Sequence, residues 1–180
     1  MEETDVLVVG GGPVGLTMAA ELSYRGINTI LIEKKPTTSD LAKAVSVNSR
    51  SMEHYRRVGL QEKMQDAAYP RDLALNVTIS NNLQESPLFR REFDSWGQIV
   101  DGKVDKGFLF YQVGVSPASP IFIPQSMTEA VIKKHLESSS ETVKTFWGHQ
   151  VTSLEQDEDG VTVKTIKTSS TDGELSLIHI

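Results

Sequence analysis

Residues 5–33 constrain this chain more than any other stretch. Asp5-Val6-Leu7-Val8-Val9 runs without a break into Gly10-Gly11-Gly12-Pro13-Val14-Gly15, and Ile30-Leu31-Ile32 ends in Glu33, followed by Lys34. A continuous apolar run before a glycine cluster reads as a strand buried on both faces of a parallel sheet. The glycines mark a turn into a helix, and each has its own steric reason. Gly10 permits the tight turn, Gly12 removes the Cβ that would keep a pyrophosphate off the backbone, and Gly15 lets the helix lie close on the strand. Val14 to Arg25 carries the amphipathic pattern of that helix, with Gly26 as its stop. Its unpaired N–H groups and positive dipole end favour an anion by about 0.3–1 kcal/mol. Glu33 falls eighteen residues after Gly15, at the carboxyl end of the second strand. An acid there accepts hydrogen bonds from ribose hydroxyls and repels a 2′-phosphate. Strand, turn, helix and acid together predict a βαβ unit that holds a dinucleotide, rather than a structural glycine turn.

At 180 residues the chain is long enough for one domain with a real core, either complete or part of something larger. A net charge of −6 argues against a nucleic-acid surface or an anionic membrane as partner. The absence of cysteine excludes disulfides, thiolate metal sites and a cysteine nucleophile. The four histidines, at 54, 135, 149 and 179, share no ligand spacing, so no metal is expected. Glu2-Glu3 leads almost at once into the first strand, with no basic region or apolar leader, and no apolar run approaches the roughly 20 residues of a membrane span. The reading is a soluble, cytoplasmic protein.

After Glu33 the chain departs from the alternation of helices and parallel strands expected of an NAD dehydrogenase. A polar loop containing Pro36 gives way to a helix that starts near Asn48 or Ser49 and runs through Met52, Tyr55 and Val58 to Gly59. A shorter helical stretch, Leu60 to Ala68, comes next. Leu73 to Ser80, Leu88 to Phe93, Phe108 to Val113 and Ile121 to Ile123 have strand composition and are separated by turn residues, which predicts an antiparallel insertion over about 70–123. Residues 126–138 are helical in period, with Met127, Val131, Ile132 and Leu136 on one side. Lys144 to Trp147, Val151 to Glu155 and Val161 to Ile166 read as strands, the last two joined by the turn Asp157–Gly160. A dinucleotide unit interrupted by antiparallel strands is the pattern of flavin enzymes with the glutathione-reductase type of α/β fold.

Three separated motifs carry a closer resemblance. They are the opening Asp5 to Leu16 with its Gly-Pro-Val-Gly; Lys43-Ala44 followed by Asn48-Ser49-Arg50-Ser51-Met52-Glu53 and Arg57-Val58-Gly59-Leu60; and Ile123-Pro124-Gln125 with Glu129 four residues on. On these the chain resembles the FAD-dependent aromatic hydroxylases, single-component flavoprotein monooxygenases of the para-hydroxybenzoate and phenol hydroxylase kind. The resemblance spans nearly all of residues 4–170. It implies a Rossmann-like FAD-binding fold, truncated here, with residues 1–174 as a partial FAD-binding domain and the insertion as the start of a substrate domain. It places the pyrophosphate on Gly10, Gly11, Gly12, Pro13, Val14 and Gly15, and the FAD ribose on Glu33 with Lys34 beside it. Lys43, Ala44, Arg50 and Gln125 complete the cofactor set. Lys43 departs from the family's arginine and loses the planar fork that grips a phosphate bidentately. Arg50 and Glu53, three apart on a helix, equally suit a local surface pair worth about 0.2–0.5 kcal/mol. Gln125 either binds the cofactor near the flavin, ribityl or phosphate chain, or caps its helix.

The resemblance also implies the reaction. FAD is reduced by NADPH or NADH, reacts with O₂ to form a C4a-hydroperoxide, and passes one oxygen to a small phenolic or aromatic substrate. No catalytic acid or base is assignable, because the resemblance places the substrate-activating groups mainly in a portion absent from these residues. The family's later cofactor-contacting Asp-Gly and Gly-Asp segments are not found either, and Asp101-Gly102, Asp159-Gly160 and Asp172-Gly173 read as turns. The rival readings are another FAD oxidoreductase of the same architecture, an epoxidase or prenyl reductase, and an inactive fragment that holds FAD weakly. The last six residues, Leu175-Ser176-Leu177-Ile178-His179-Ile180, resemble the translation of a transposon-end sequencing adapter and are expected to be non-native; the alternative is an ordinary strand.

Overall fold

The structure, a computed structural model, describes residues 2–41, 43–74, 76–92, 95, 97, 98, 101, 116–168 and 175–180. In chain order the first half contains β1 (Glu2–Glu3), β2 (Val6–Val9), α1 (Pro13–Tyr24), β3 (Thr29–Glu33), β4 (Ser46–Val47), α2 (Ser49–Arg57), α3 (Gln61–Asp66), β5 (Val77–Ile79) and β6 (Phe89–Arg91). The second half contains β7 (Ile121–Phe122), α4 (Gln125–Ser139), β8 (Val143–Trp147), β9 (His149–Gln156), β10 (Val161–Lys167) and β11 (Leu175–His179). The expectations for Phe108 to Val113, Gly102 and Asp172-Gly173 lie outside the described residues.

Three layers result. A parallel sheet in the order β2-β3-β8 pairs Val6 with Thr29 and Glu33 with Trp147. Successive side chains of a strand point to opposite faces, and β3 uses both. Leu31 packs among Leu16, Ala19 and Ala20 of α1 and Ile132 and Leu136 of α4. Ile30 and Ile32 turn the other way, onto Ile178 of the second sheet, whose order is β1-β11-β10-β9. Each such buried aliphatic contributes about 1.5–3 kcal/mol relative to exposure.

The strand before the glycines is not buried on both faces, contrary to the expectation. Val6, Leu7 and Val8 are half-buried, and Val9 is 62% exposed. β2 lies at an edge of its sheet and β3 at the centre, so the doubly buried strand is the second one.

The helices obey their sequence signals closely. Asn48 caps α2, its side chain accepting the Ser51 N–H at 2.8 Å, and Gly59 ends the segment with φ +75°. α1 stops at Gly26, φ +72°, whose N–H reaches the Ser23 carbonyl. On α4 the buried stripe is Thr128, Glu129, Ile132 and Leu136, while Met127 is 44% exposed. The predicted face is therefore rotated at its first turn. Residues 38–41 run past that turn, and the Ser39 N–H requires an acceptor that methionine cannot supply.

Ile121–Phe122 joins Ser46–Val47 antiparallel, Ser46 opposite Phe122, a pairing the sequence did not announce. Strand β4 has only two residues, too few for a periodic signal. β5 and β6 pair with each other, Ile79 opposite Phe89. Leu175–His179 lies antiparallel to β10 and parallel to β1, with Ile178 buried. Among the described residues no helix is long and apolar enough to cross a membrane.

Candidate dinucleotide site

At the carboxyl end of the parallel sheet the glycine turn, an acid and an indole ring meet. Gly10 adopts φ +112° and donates its N–H to the Ile32 carbonyl at 2.7 Å. A Cβ on Gly15 would stand 1.9 Å from the Gly10 oxygen, so α1 approaches the turn as only glycine permits. A Cβ on Gly12 would meet nothing within 4 Å, which leaves open space before the helix. Gly12 is the N-cap residue and Pro13 opens the first turn; no side chain caps α1 and its first turn carries no acid. The positive end of the helix therefore has no counter-charge from the helix itself. This open, uncapped start fits a phosphate.

Glu33 is half-buried and aims at the turn. Its Oε2 accepts the Gly11 N–H at 2.6 Å and its Oε1 the Lys35 N–H at 2.9 Å. Two donors occupy two of a carboxylate's roughly four lone-pair sites, so acceptors remain for a ribose diol. Val14 is 81% exposed at the mouth, and Lys34 is exposed, with its carbonyl taking the Thr168 hydroxyl at 3.2 Å.

Trp147 is the residue that sequence reasoning missed. A Cβ on Gly11 would come 2.8 Å from its ring and 2.9 Å from the Glu33 Cβ, so Gly11 is squeezed between them. Lys133 sits over the indole with its Nζ 4.5 Å from the ring centroid. The indole Nε1 is buried and has no hydrogen-bond partner among the described residues. One signal was present: Trp147 ends a predicted strand, and ligands of open α/β sheets gather at the carboxyl ends of strands.

A second group forms around the start of α4. The Gln125 N–H donates to the Ala44 carbonyl at 2.8 Å and the Ile123 N–H to Val45 at 3.0 Å, so exposed Lys43 and Ala44 lie beside Gln125. The Gln125 Nε2 donates to Glu129 at 2.7 Å. Arg50 stands apart from both groups in its bonding: its guanidinium pairs with Glu53 at 2.7 Å, the local pair that the spacing allowed. That bond, and then the Ser116 hydroxyl, hold the Glu53 carboxyl below the usual range.

On the outer side of α1 a groove of about 600 Å³ runs along α2, lined by Val14, Met18 and Leu22. Glu21 closes part of it. Burial raises its carboxyl, but hydrogen bonds from Arg57, Arg25 and His54 outweigh that and bring it down to about 2. Among the described residues no group of three or more His, Cys, Asp or Glu is placed to hold a metal ion.

Comparison with known proteins decides between a generic dinucleotide unit and a flavin one. The family model described as FAD binding domain matches residues 3–178. The chain belongs to that family. Among members of known activity, it is 31% identical over 164 residues to phenol 2-monooxygenase of Pseudomonas sp. (strain EST1001), covering 91% of this chain and 25% of that one. It is 33% identical over 159 residues to 2,4-dichlorophenol 6-monooxygenase of Cupriavidus pinatubonensis, covering 88% and 25%. The solved flavin-dependent monooxygenase PieE, in complex with FAD and substrate, superposes with a TM-score of 0.77 at 25% identity over 98% of this chain and 29% of that one. RebC with reduced flavin, at 23% identity and a TM-score of 0.77 over 99% of this chain and 31% of that one, shares the fold. The chain thus spans about a quarter of the length of the FAD binding domain proteins it matches. The resemblance drawn from the three motifs holds: the chain matches the FAD binding domain family, and these relatives are a phenol and a dichlorophenol monooxygenase.

Proposed function

We propose that these residues form the FAD-holding N-terminal portion of a flavoprotein monooxygenase that uses NADPH or NADH and O₂ to hydroxylate a small phenolic or aromatic substrate. In this reading the fold is of the glutathione-reductase type. Residues 1–174 are part of the FAD domain, and about 70–123 begin the substrate domain. The observation that carries it is the open helix start at Gly12 with the Glu33 carboxylate held against the same turn. An uncapped, acid-free first turn suits a diphosphate, and a carboxylate with spare acceptors suits a sugar diol.

The turn from Gly10 to Gly15 would hold the pyrophosphate through backbone N–H groups, and Glu33 the ribose, with Lys34 at its side. Gln125, with Lys43 and Ala44 on the neighbouring strand of backbone, would meet the flavin half, and Arg50 would approach from α2. When bound, FAD supplies hydride acceptance and O₂ activation. The protein's own residues bind and orient. Trp147 backs the Gly11–Glu33 contact so that the carboxylate does not move away from the turn. No residue of the chain is assigned a proton-transfer role. We place the protein in the cytoplasm, and we read 175–180 as adapter-derived; sequencing the transcript across codon 174 without that library chemistry tests it, and an uninterrupted natural frame encoding the same six residues overturns it.

The binding reading is tested with Gly12→Ala in the full-length flavoprotein. Space exists for the methyl group, so folding is retained while FAD affinity drops at least tenfold, read by flavin fluorescence. An unchanged affinity removes the assignment. The 180 residues alone are expected to purify colourless or to release FAD readily; a stoichiometrically yellow chain that oxidises NADPH with a phenol contradicts this.

A further inference from the structure

Gln125 and Glu129 sit one turn apart on α4, and Glu129 is 2% exposed. Its two oxygens have different partners: Oε2 accepts the Ser39 N–H at 2.9 Å, and Oε1 accepts the Gln125 Nε2 at 2.7 Å. A carboxylate offers acceptors only. The nitrogen of the Gln125 amide must therefore face it, and the two-fold ambiguity that normally attends a side-chain amide is removed by chemistry. What remains for another partner is the Gln125 carbonyl oxygen and one amide proton.

We propose that Glu129 is a positioning residue that sets Gln125 to present its carbonyl oxygen to the cofactor. The group that Gln125 reads through this oxygen is then a hydrogen-bond donor, a hydroxyl or ring N–H of the flavin half. This deepens the proposed FAD reading and rests on it. The same carboxylate anchors Ser39, at the far end of the loop that begins after Glu33, so one buried group holds both arms of the site. A glutamine at 129 would make as many hydrogen bonds with no buried charge. Its oxygen would be claimed by the Ser39 N–H, which cannot reverse, and its NH₂ would turn Gln125 over. Only the carboxylate leaves the Gln125 oxygen outward.

Glu129→Gln tests this. In ¹⁵N spectra of the 180-residue chain, the Gln125 side-chain amide protons are expected to move while the Ser39 amide stays protected from exchange. In the full-length flavoprotein, E129Q is expected to melt within a few degrees of wild type and to bind FAD about tenfold more weakly. Gln125→Leu should weaken FAD to a similar degree, and E129Q in the Q125L background should add nothing further. Exchanging the pair, Q125E with E129Q, restores both hydrogen bonds with an oxygen outward and is expected to bind FAD more tightly than E129Q alone. If E129Q fails to fold, the exchange is compared with Q125L instead, and binding no tighter than that of Q125L overturns the proposal. Wild-type affinity in E129Q, or an equal further loss in the Q125L background, overturns the proposal while the FAD reading stands. A wild-type protein that takes up no FAD overturns the reading itself and this inference with it.

Discussion

The glycine turn at 10–15 and the segment 39–47 flank the same candidate site, yet contrasting forces hold them. The turn is fixed by main-chain sterics within a few residues: φ +112° at Gly10, and 1.9 Å between a would-be Gly15 Cβ and the Gly10 oxygen. Among the described residues of 39–47 no backbone position has a positive φ. This segment is held by residues far along the chain, through Ser39 on Glu129, Ala44 on Gln125 and Ser46 paired with Phe122. A steric device tolerates almost no substitution but needs no partner. A hydrogen-bonded one tolerates change only while donors and acceptors still match.

The sharpest way to break the comparison is Gly15→Ala. The methyl group would strike backbone, so the cost should exceed the roughly 1–3 kcal/mol of ordinary overpacking, measured as a lowered denaturant midpoint. A stable G15A variant would show that the turn can shift after all. Next comes Glu129→Ala, which strands the Ser39 N–H and the Gln125 amide. At about 1–3 kcal/mol for each unsatisfied group, it is expected to cost about 2–6 kcal/mol in chemical denaturation, while the amides of residues 10–15 keep their exchange protection. Loss of protection in both regions together would merge the two arms into one unit. Asn48→Ala removes the acceptor for the Ser51 N–H at the end of the second arm, for about 1 kcal/mol, read from the thermal midpoint.

The smallest effect concerns acid. Glu21 is depressed to about 2 in the folded chain against 4.5 unperturbed. Its contribution is therefore full above about 4.5 and is lost as pH falls toward 2. Its arginine partners are nearly half exposed, and water weakens the pairs. Arg57→Ala should flatten the pH dependence of stability in that window by slightly lowering stability above about pH 4.5 and leaving it unchanged near pH 2.

Much of this is legible in the sequence, and the pattern of what is not has a physical reason. Gly10, Gly12, Gly15, Gly26, Asn48 and Gly59 act within one turn of their own positions, so residue type alone announces them. The Arg50–Glu53 pair is visible for the same reason, as an i,i+3 spacing. Trp147 beneath Gly11, and β4 against β7, depend on which strands become neighbours, and no local pattern records that. Met127 reads as inward because it is apolar. The buried position goes to Glu129 instead, whose carboxylate accepts the Ser39 N–H from a segment far away in the chain.

From residues 5–33 alone came the βαβ turn, the acid at its second strand and, with the two later motifs, the family. These rest on φ, Cβ sterics and the 3.6 and 2.0 periodicities, which every residue carries wherever it is placed. Tertiary structure decided that β3 and not β2 is the buried central strand, that Trp147 fills the space under the turn, and that a single buried carboxylate orients Gln125. Burial and hydrogen-bond partnership belong to neighbours far apart in the chain, and only the packed sheet and helices bring those neighbours within reach.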